Sequence, residues 1–345
     1  MPIRVKGWAF QSSDNPVLSE IEYDLPSNET ELDAHEVLVE VISCSLCHSD
    51  LHMAQNDWNI STYPIVTGHE VIGKVVAKGT KVSHLEINET VGIGWQSGSC
   101  TACNYCIRGE EPRCNASQAT IIAPHKGGLA SHVVCQDRFA FSLKQFPQDG
   151  NLPLLSPLLC AGATVWTPIS KHLKPGMRVG VIGMGGLGSV ALQFCRSLGH
   201  ETILLTRGTS KRADALALGA AGIVDMTSES DIAKYKNSID LILNTATVEL
   251  NWDRYFGLLA KGGVFVLLGI PGQSPLVISP MSFVFQTLTL EGSLIAGSVP
   301  MTEMLNFARV NKIVPMVDVM PMSRVNEAFD KLRAGNVRYR IVLKR

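Results

Sequence analysis

Four cysteines, Cys100, Cys103, Cys106 and Cys114, stand within fifteen residues as C-x2-C-x2-C-x7-C. Four thiolates this close can be carried round one tetrahedral ion by a short loop. Zinc favours such a closed four-sulfur shell where its task is structural. The run also approaches a ferredoxin spacing, C-x2-C-x2-C-x3-C-P. Here, however, the last gap is seven residues and Asn115 rather than proline follows it. Zinc is the better reading, with an iron–sulfur electron carrier as the alternative.

A second stretch could cradle a phosphate. Val179-Gly-Val-Ile-Gly183-Met-Gly185-Gly186-Leu187-Gly188 places G-x-G-x-x-G directly after an apolar strand and before a helix. The first glycine permits a tight turn, the second lets backbone approach a diphosphate, and the third allows close helix packing. The diphosphate would sit at the helix N-terminus, where free N–H groups favour negative charge. An NAD site wants an acid at the end of the next strand. That strand here runs into Thr206-Arg207-Gly208-Thr209-Ser210-Lys211-Arg212, which holds no acid. Guanidinium, ammonium and hydroxyl donors suit a 2′-phosphate, so the expected cofactor is NADP(H), with Thr206, Arg207 and Lys211 as contacts. The bland alternative is a solvated basic helix start.

A third set is ambiguous piece by piece: Cys44-Ser45-Leu46-Cys47-His48-Ser49-Asp50-Leu51-His52, then Gly68-His69-Glu70, and Leu158-Leu159-Cys160-Ala161-Gly162. A lone cysteine is usually a small buried hydrophobe. The weight lies in the joint occurrence of these pieces ahead of a nucleotide fold. Cys44, Cys135 and Cys195 are left over and read as buried free thiols.

The elements that must position these groups fall into two rhythms. Residues 1–150 carry short β-type runs such as 37–42, 71–76 and 90–94, punctuated by Gly and Asn. From Val179 the pattern turns to strand, glycine turn, helix, strand, with strands at 178–182, 202–205, 239–244 and 264–268 and helices at 189–197, 211–218 and 251–259. Such alternation means a parallel, doubly wound sheet. The tail offers helices at 301–309 and 325–333 and a last strand at 338–343. The expected division is 1–150, 151–297 and a return to the first domain over 298–345, with the metal lobe near 97–116. At 345 residues, about two domains are expected.

Composition excludes several classes. Thirty Lys plus Arg against 31 Asp plus Glu leave no basic excess for nucleic acid. The apolar stretches 152–170 and 179–195 are broken by prolines and glycines, which argues against membrane spans. MPIRVKGWAF lacks the apolar core of a secretion signal. Nine cysteines without such a signal fit a reducing compartment, so a soluble cytoplasmic protein is expected.

Together, Cys47-His48-Ser49-Asp50, Gly68-His69-Glu70, the four-cysteine run, Pro157-Leu-Leu-Cys160-Ala-Gly, the glycine turn and Arg338-Tyr-Arg340-Ile-Val resemble the zinc-dependent alcohol dehydrogenases of the medium-chain dehydrogenase/reductase superfamily. The cinnamyl-alcohol-dehydrogenase-like, NADP-dependent aldehyde reductases are the nearest branch. The resemblance implies a mainly β GroES-like catalytic domain beside a Rossmann domain. It implies two zinc ions per chain, one of them catalytic on Cys47, His69 and Cys160, with Glu70 as a further ligand when substrate is absent. Asp50 would orient His69, Ser49 and His52 would relay a proton, and His48 and Arg340 would meet the cofactor phosphates. Three departures stand out: Thr67 where proline is usual, Ser45 where glycine is usual, and Asn88-Glu89 where Gly-Asp is usual.

The implied reaction is reversible hydride transfer between an alcohol or aldehyde and the nicotinamide. Trp58, Ile60, Trp95, Ile121, Leu294 and Ile295 stand where the resemblance puts pocket walls, which suggests aromatic or medium aliphatic substrates. Alternatives are a polyol or amino-alcohol dehydrogenase of the same superfamily, and a non-catalytic NADP-binding zinc protein. A homodimer paired through strand 287–294 is expected.

Overall fold

The computed structural model describes residues 2–124, 126–208, 210–270 and 276–345. Two compact units emerge: Met1–Cys160 with Ala296–Asn306 and Val314–Arg345, and Ala161–Ile295 with Phe307–Ile313. The first runs past residue 150 because the 3-10 helix Leu152–Leu159 packs on its sheet. A Cβ on Gly92 of that sheet would lie 2.6 Å from Leu159 Cδ2, so the glycine makes room for the leucine that leads into Cys160.

The first unit is built on a seven-stranded sheet. Its order is Asp318–Pro321, Ile341–Lys344, Glu36–Leu46, Glu70–Lys78, Thr90–Ile93 and Ala140–Ser142, with His132–Gln136 also paired to Glu36–Leu46. Valines 37, 39 and 41 suit a pleated, half-buried surface and face the core. Register then decides where chemistry can occur. Ser45 pairs with Glu70, and Leu46 with Ile341. Cys47, His69 and Arg340, each one residue beyond these pairs, are therefore delivered to one end of the sheet. Arg340 precedes the final strand rather than lying within it, because that strand begins at Ile341.

After Cys47 the chain turns into the helix His48–Gln55. Cys47 is its extended N-cap, and its N–H is accepted by the Asp50 carboxylate in a capping box. Asn56 ends the helix in the left-handed region, at φ 57°. Cys47, Ser49, Asp50 and His52 thus all come from one helix start and its cap.

The second unit holds six parallel strands in the order Gly222–Asp225, Glu201–Thr206, Arg178–Ile182, Ile239–Asn244, Leu259–Leu267 and Thr289–Gly292. Numbered along the chain this is 3-2-1-4-5-6, the dinucleotide-binding arrangement. The first helix begins at Gly186, three residues before the expected start. Helix 251–259 shortens to Trp252–Phe256, and the following strand starts at Leu259. Among the described residues no single helix is long and apolar enough to cross a membrane.

The glycine turn behaves as its spacing requires. Gly183 sits at φ +81°, which an L side chain adopts only with strain. A Cβ on Gly188 would lie 2.1 Å from Gly183 O, whereas one on Gly185 would meet nothing within 4 Å. The open space beside Gly185 is where a diphosphate could approach. Gly188→Ala should lower stability by about 1–3 kcal/mol through overpacking against backbone. Denaturant unfolding of the variant checks this, and an unchanged midpoint would contradict the close contact.

Candidate active site and metal centres

Asp50 organises the first cluster. Its Oδ2 accepts from Cys47 N at 2.8 Å, while Oδ1 accepts from Gly68 N at 2.7 Å and faces His69 Nδ1 at 3.0 Å. All of this is buried. With Nδ1 donating to Asp50, the lone pair of His69 is left on Nε2, which is buried with no hydrogen-bond partner. Gly68 must be glycine: at φ +96°, a Cβ would come 2.7 Å from Cys44 Sγ and 2.8 Å from Leu129 N. Trp95 closes one side, edge-on to His69 at 5.1 Å.

Around that nitrogen the structure gathers a donor set. The ligand atoms of Cys47, His69, Glu70 and Cys160 lie within 4.8 Å of one another, and all four residues are buried. Two thiols, an imidazole with a free nitrogen and a carboxyl suit zinc, whose catalytic sites keep three protein ligands and one open position. A hydrogen bond from Cys160 holds Cys47 well below the usual thiol range, helped by the charges of Arg340 and His69. The same bond keeps the proton on Cys160 and pushes it up. Burial works against a charge on His69, but Asp50 and Cys47 outweigh it and raise its pKa. Burial pushes Glu70 up to about 7, with Arg340 pulling the other way.

Arg340, expected against cofactor phosphates, is 3% exposed and lies among these ligands. Its Nε is 3.4 Å from Glu70 Oε1, and its Nη2 donates to Cys47 Sγ at 3.4 Å. It balances the negative charge of the thiolate and the carboxylate. His48 is half-buried, and desolvation lowers its pKa. Ser49 Oγ lies 3.7 Å from Cys47 Sγ. His52 is held through Nδ1 by Asp57 Oδ2 at 2.6 Å, and its Nε2 is buried without a hydrogen bond. Its ring lies 5.2 Å from that of Trp58, which in turn meets Trp95 edge-on at 6.1 Å.

The expected walls divide. Trp58 and Trp95 form this aromatic wall, whereas Ile121 is wholly buried in the core. Ile122 instead lines a cavity of 250 Å³ with Trp95, Gln118 and Ala119. Ile60 is 46% exposed. Leu294 and Ile295 belong to the second unit, where the Ile295 carbonyl accepts from Thr167.

The four-cysteine lobe is assembled. Sulfur separations are 3.9 Å for Cys100–Cys106, 3.6 Å for Cys103–Cys106 and 3.5 Å for Cys114–Cys100. A tetrahedron with Zn–S bonds of about 2.3 Å has edges of about 3.8 Å. Edges this short enclose one ion and leave no room for a multi-iron cluster. They are also far too long for disulfides. Cys44, Cys135 and Cys195 are free and buried, and burial raises the pKa of all three.

In the second unit, Arg207 follows the strand end at Thr206 and lines a cleft of 290 Å³ with Met226, Glu249, Leu250, Asn251, Arg254 and Tyr255. Lys211 donates to the carbonyl of Met184 at 2.9 Å, closing the glycine turn. Thr209 lies outside the described residues. Arg254 and Tyr255 went unnoticed in the sequence, since a short helix start after a strand carries no motif. They reach the cleft because the Met226 N–H donates to Thr206 O at 2.8 Å and Arg254 donates to Met226 O at 2.9 Å.

A GroES-like sheet carrying a buried thiol–imidazole site, joined in one chain to a dinucleotide-binding sheet, defines the class. Residues 33–145 match the family model of the alcohol dehydrogenase GroES-like domain, and 186–309 that of the zinc-binding dehydrogenases. The chain is 37% identical to an aldehyde reductase of Synechocystis sp., covering 95% of this chain and 96% of that one. It is 35% identical to a cinnamyl alcohol dehydrogenase of Arabidopsis thaliana, covering 89% and 86%. Among solved structures, a cinnamyl alcohol dehydrogenase of Sorghum bicolor superposes with TM-score 0.92 at 28% identity, over 99% of this chain and 98% of that one. One from Helicobacter pylori, complexed with NADP(H), gives 0.89 at 29% over 100% and 99%. The chain belongs to the zinc-dependent alcohol dehydrogenases of the medium-chain dehydrogenase/reductase superfamily, alongside the cinnamyl-alcohol-dehydrogenase-like enzymes. Its chemistry is alcohol–aldehyde oxidoreduction on a small-molecule substrate.

Asp50→Asn should weaken zinc at the Cys47 site about 10–100-fold, the usual cost of losing a carboxylate behind a ligating histidine. Chelator competition with metal analysis should find one zinc per chain stripped early and the other retained. Two equally tight ions in the variant would contradict the role of Asp50.

Proposed function

We propose that this enzyme is an NADPH-dependent reductase of hydrophobic aldehydes, aromatic or medium aliphatic, and in reverse an alcohol dehydrogenase. The observation that carries the proposal is the buried set of Cys47, His69 and Cys160 with His69 Nε2 left free, beside the aromatic wall of Trp58 and Trp95. Zinc on those three residues would supply Lewis-acid polarisation of a carbonyl, and the nicotinamide would supply the hydride. The chain's own residues do the rest. Asp50 fixes the tautomer and direction of His69. Trp58 and Trp95 favour a flat or apolar substrate and exclude water.

Ser49 and His52 are three residues apart on the helix His48–Gln55 and so share a face. This arrangement supports a proton path from the Ser49 hydroxyl to His52. Asp57 at Nδ1 stabilises the ring when Nε2 takes the proton.

Arg207 and Arg254 line the cleft against one carboxylate, Glu249, and no acid ends strand Glu201–Thr206, which supports NADP(H) over NAD(H). The Helicobacter relative solved with NADP(H) points the same way. Gly183, Gly185, Gly186, Leu187 and Gly188 are assigned to the diphosphate, with Thr206 and Lys211 beside the ribose phosphate.

The enzyme works as a homodimer in the cytoplasm. Thr289–Gly292 is the last strand of its sheet, and in the segment that leads into it Val277, Met281, Val284 and Phe285 are 66–77% exposed. An edge strand flanked by such an apolar face suits a second copy paired across a two-fold axis. Nine cysteines, six of them placed for metal and none paired in a disulfide among the described residues, suit a reducing compartment.

Steady-state kinetics should show benzaldehyde reduced with NADPH far better than with NADH. A preference for polyols would overturn the substrate assignment. Arg207→Ala should cost about 10–100-fold in kcat/KM for NADPH, as expected for loss of a bond to a charged group, and little for NADH. An intact NADP preference in that variant would overturn the cofactor assignment.

Sedimentation should give a dimer for the native protein and a monomer for Val284→Glu. A native monomer would contradict the pairing.

A further inference from the structure

Ser45 sits at the end of strand Glu36–Leu46, next to the residues that gather at the metal-ligand cluster. Ser45 is fully buried and lies opposite Glu70 in the register of two antiparallel strands. Directly paired residues project to the same face, so the side chain at 45 is the one set against the Glu70 carboxylate. The Ser45 hydroxyl donates to Glu70 Oε2. The other oxygen, Oε1, makes no hydrogen bond and faces Arg340 Nε at 3.4 Å. Yet Glu70 is also one of the four residues whose ligand atoms lie within 4.8 Å of one another. Among the described residues it is the one carboxylate grouped with Cys47, His69 and Cys160, and so the one placed to take the position a substrate oxygen needs.

We propose that Ser45 is a positioning residue that tethers Glu70 and keeps the fourth position of the metal shell open. The inference rests on the reading of Cys47, His69 and Cys160 as the catalytic metal site. Ligation through Oε2 breaks the Ser45 bond and leaves a buried hydroxyl without a partner, which is costly. Ligation through Oε1 draws the carboxylate away from Arg340. Both oxygens are therefore engaged by partners that compete with the ion. A residue without a hydroxyl at 45 would offer no such restraint.

The test uses the full chain with Co2+ exchanged into the catalytic site and zinc kept in the four-cysteine lobe. Imidazole, a monodentate ligand that needs the open position, is followed through the cobalt absorption bands. Ser45→Ala frees Glu70 to compete, so imidazole should bind about ten-fold more weakly than to the native protein. Ser45→Thr, which retains the hydroxyl, should bind it as the native protein does. In a Glu70→Gln background the Ser45→Ala change should have no effect, because the competitor is gone.

Equal imidazole affinity in the native protein and Ser45→Ala would overturn the tether. So would an equal loss in the Glu70→Gln background, which would mean that Ser45 acts on something other than Glu70. A native protein that takes up no cobalt outside the four-cysteine lobe would overturn the metal reading itself, an outcome distinct from the other two.

Discussion

The Asp50 carboxylate accepts N–H groups from Cys47, Gly68 and His69, and the site depends on that one buried anion. Through Cys47 it caps the helix that carries Ser49 and His52. Through Gly68 it joins that helix to the turn before strand Glu70–Lys78. Through His69 it decides which ring nitrogen remains for an ion. A single side chain therefore couples local helix formation, sheet geometry and ligand tautomer. A buried carboxylate is costly unless its hydrogen-bonding capacity is filled, and here three donors fill it.

Charge balance is the second constraint. Cys47, Cys160 and Glu70 bring three ionisable acids into one buried space. Arg340, just before the last strand, is a cation placed against two of them. A divalent ion bound there would displace the Cys160 proton and balance the charge that remains, which favours reading the cluster as a metal centre. The four-cysteine lobe shows a different logic. Its sulfurs form a closed tetrahedron with no position for a substrate, so it braces its loop and performs no chemistry.

Much of this was legible in the residues. The spacing of Cys100, Cys103, Cys106 and Cys114 is local, and local spacing survives folding. G-x-G-x-x-G between a strand and a helix likewise encodes its own geometry, borne out in the 3-2-1-4-5-6 sheet. Groups brought together by strand register were not legible. The pairing of Ser45 with Glu70, and the placing of Arg340 beside Cys47, depend on hydrogen bonding between segments far apart in sequence. Arg254 and Tyr255 reach the Arg207 cleft through backbone contacts that no motif announces. Ile121 shows the opposite case, where the family resemblance implied a wall and packing made it core.

The central claim is that one chain holds two zinc ions with different tasks. An anomalous-difference map at the zinc absorption edge, from crystals of the purified protein, tests it most directly. The account predicts two peaks per chain. One lies among Cys100, Cys103, Cys106 and Cys114, and the other at about 2.0–2.3 Å from Cys47 Sγ, Cys160 Sγ and His69 Nε2. A single peak in the four-cysteine lobe, with nothing at His69, would contradict it.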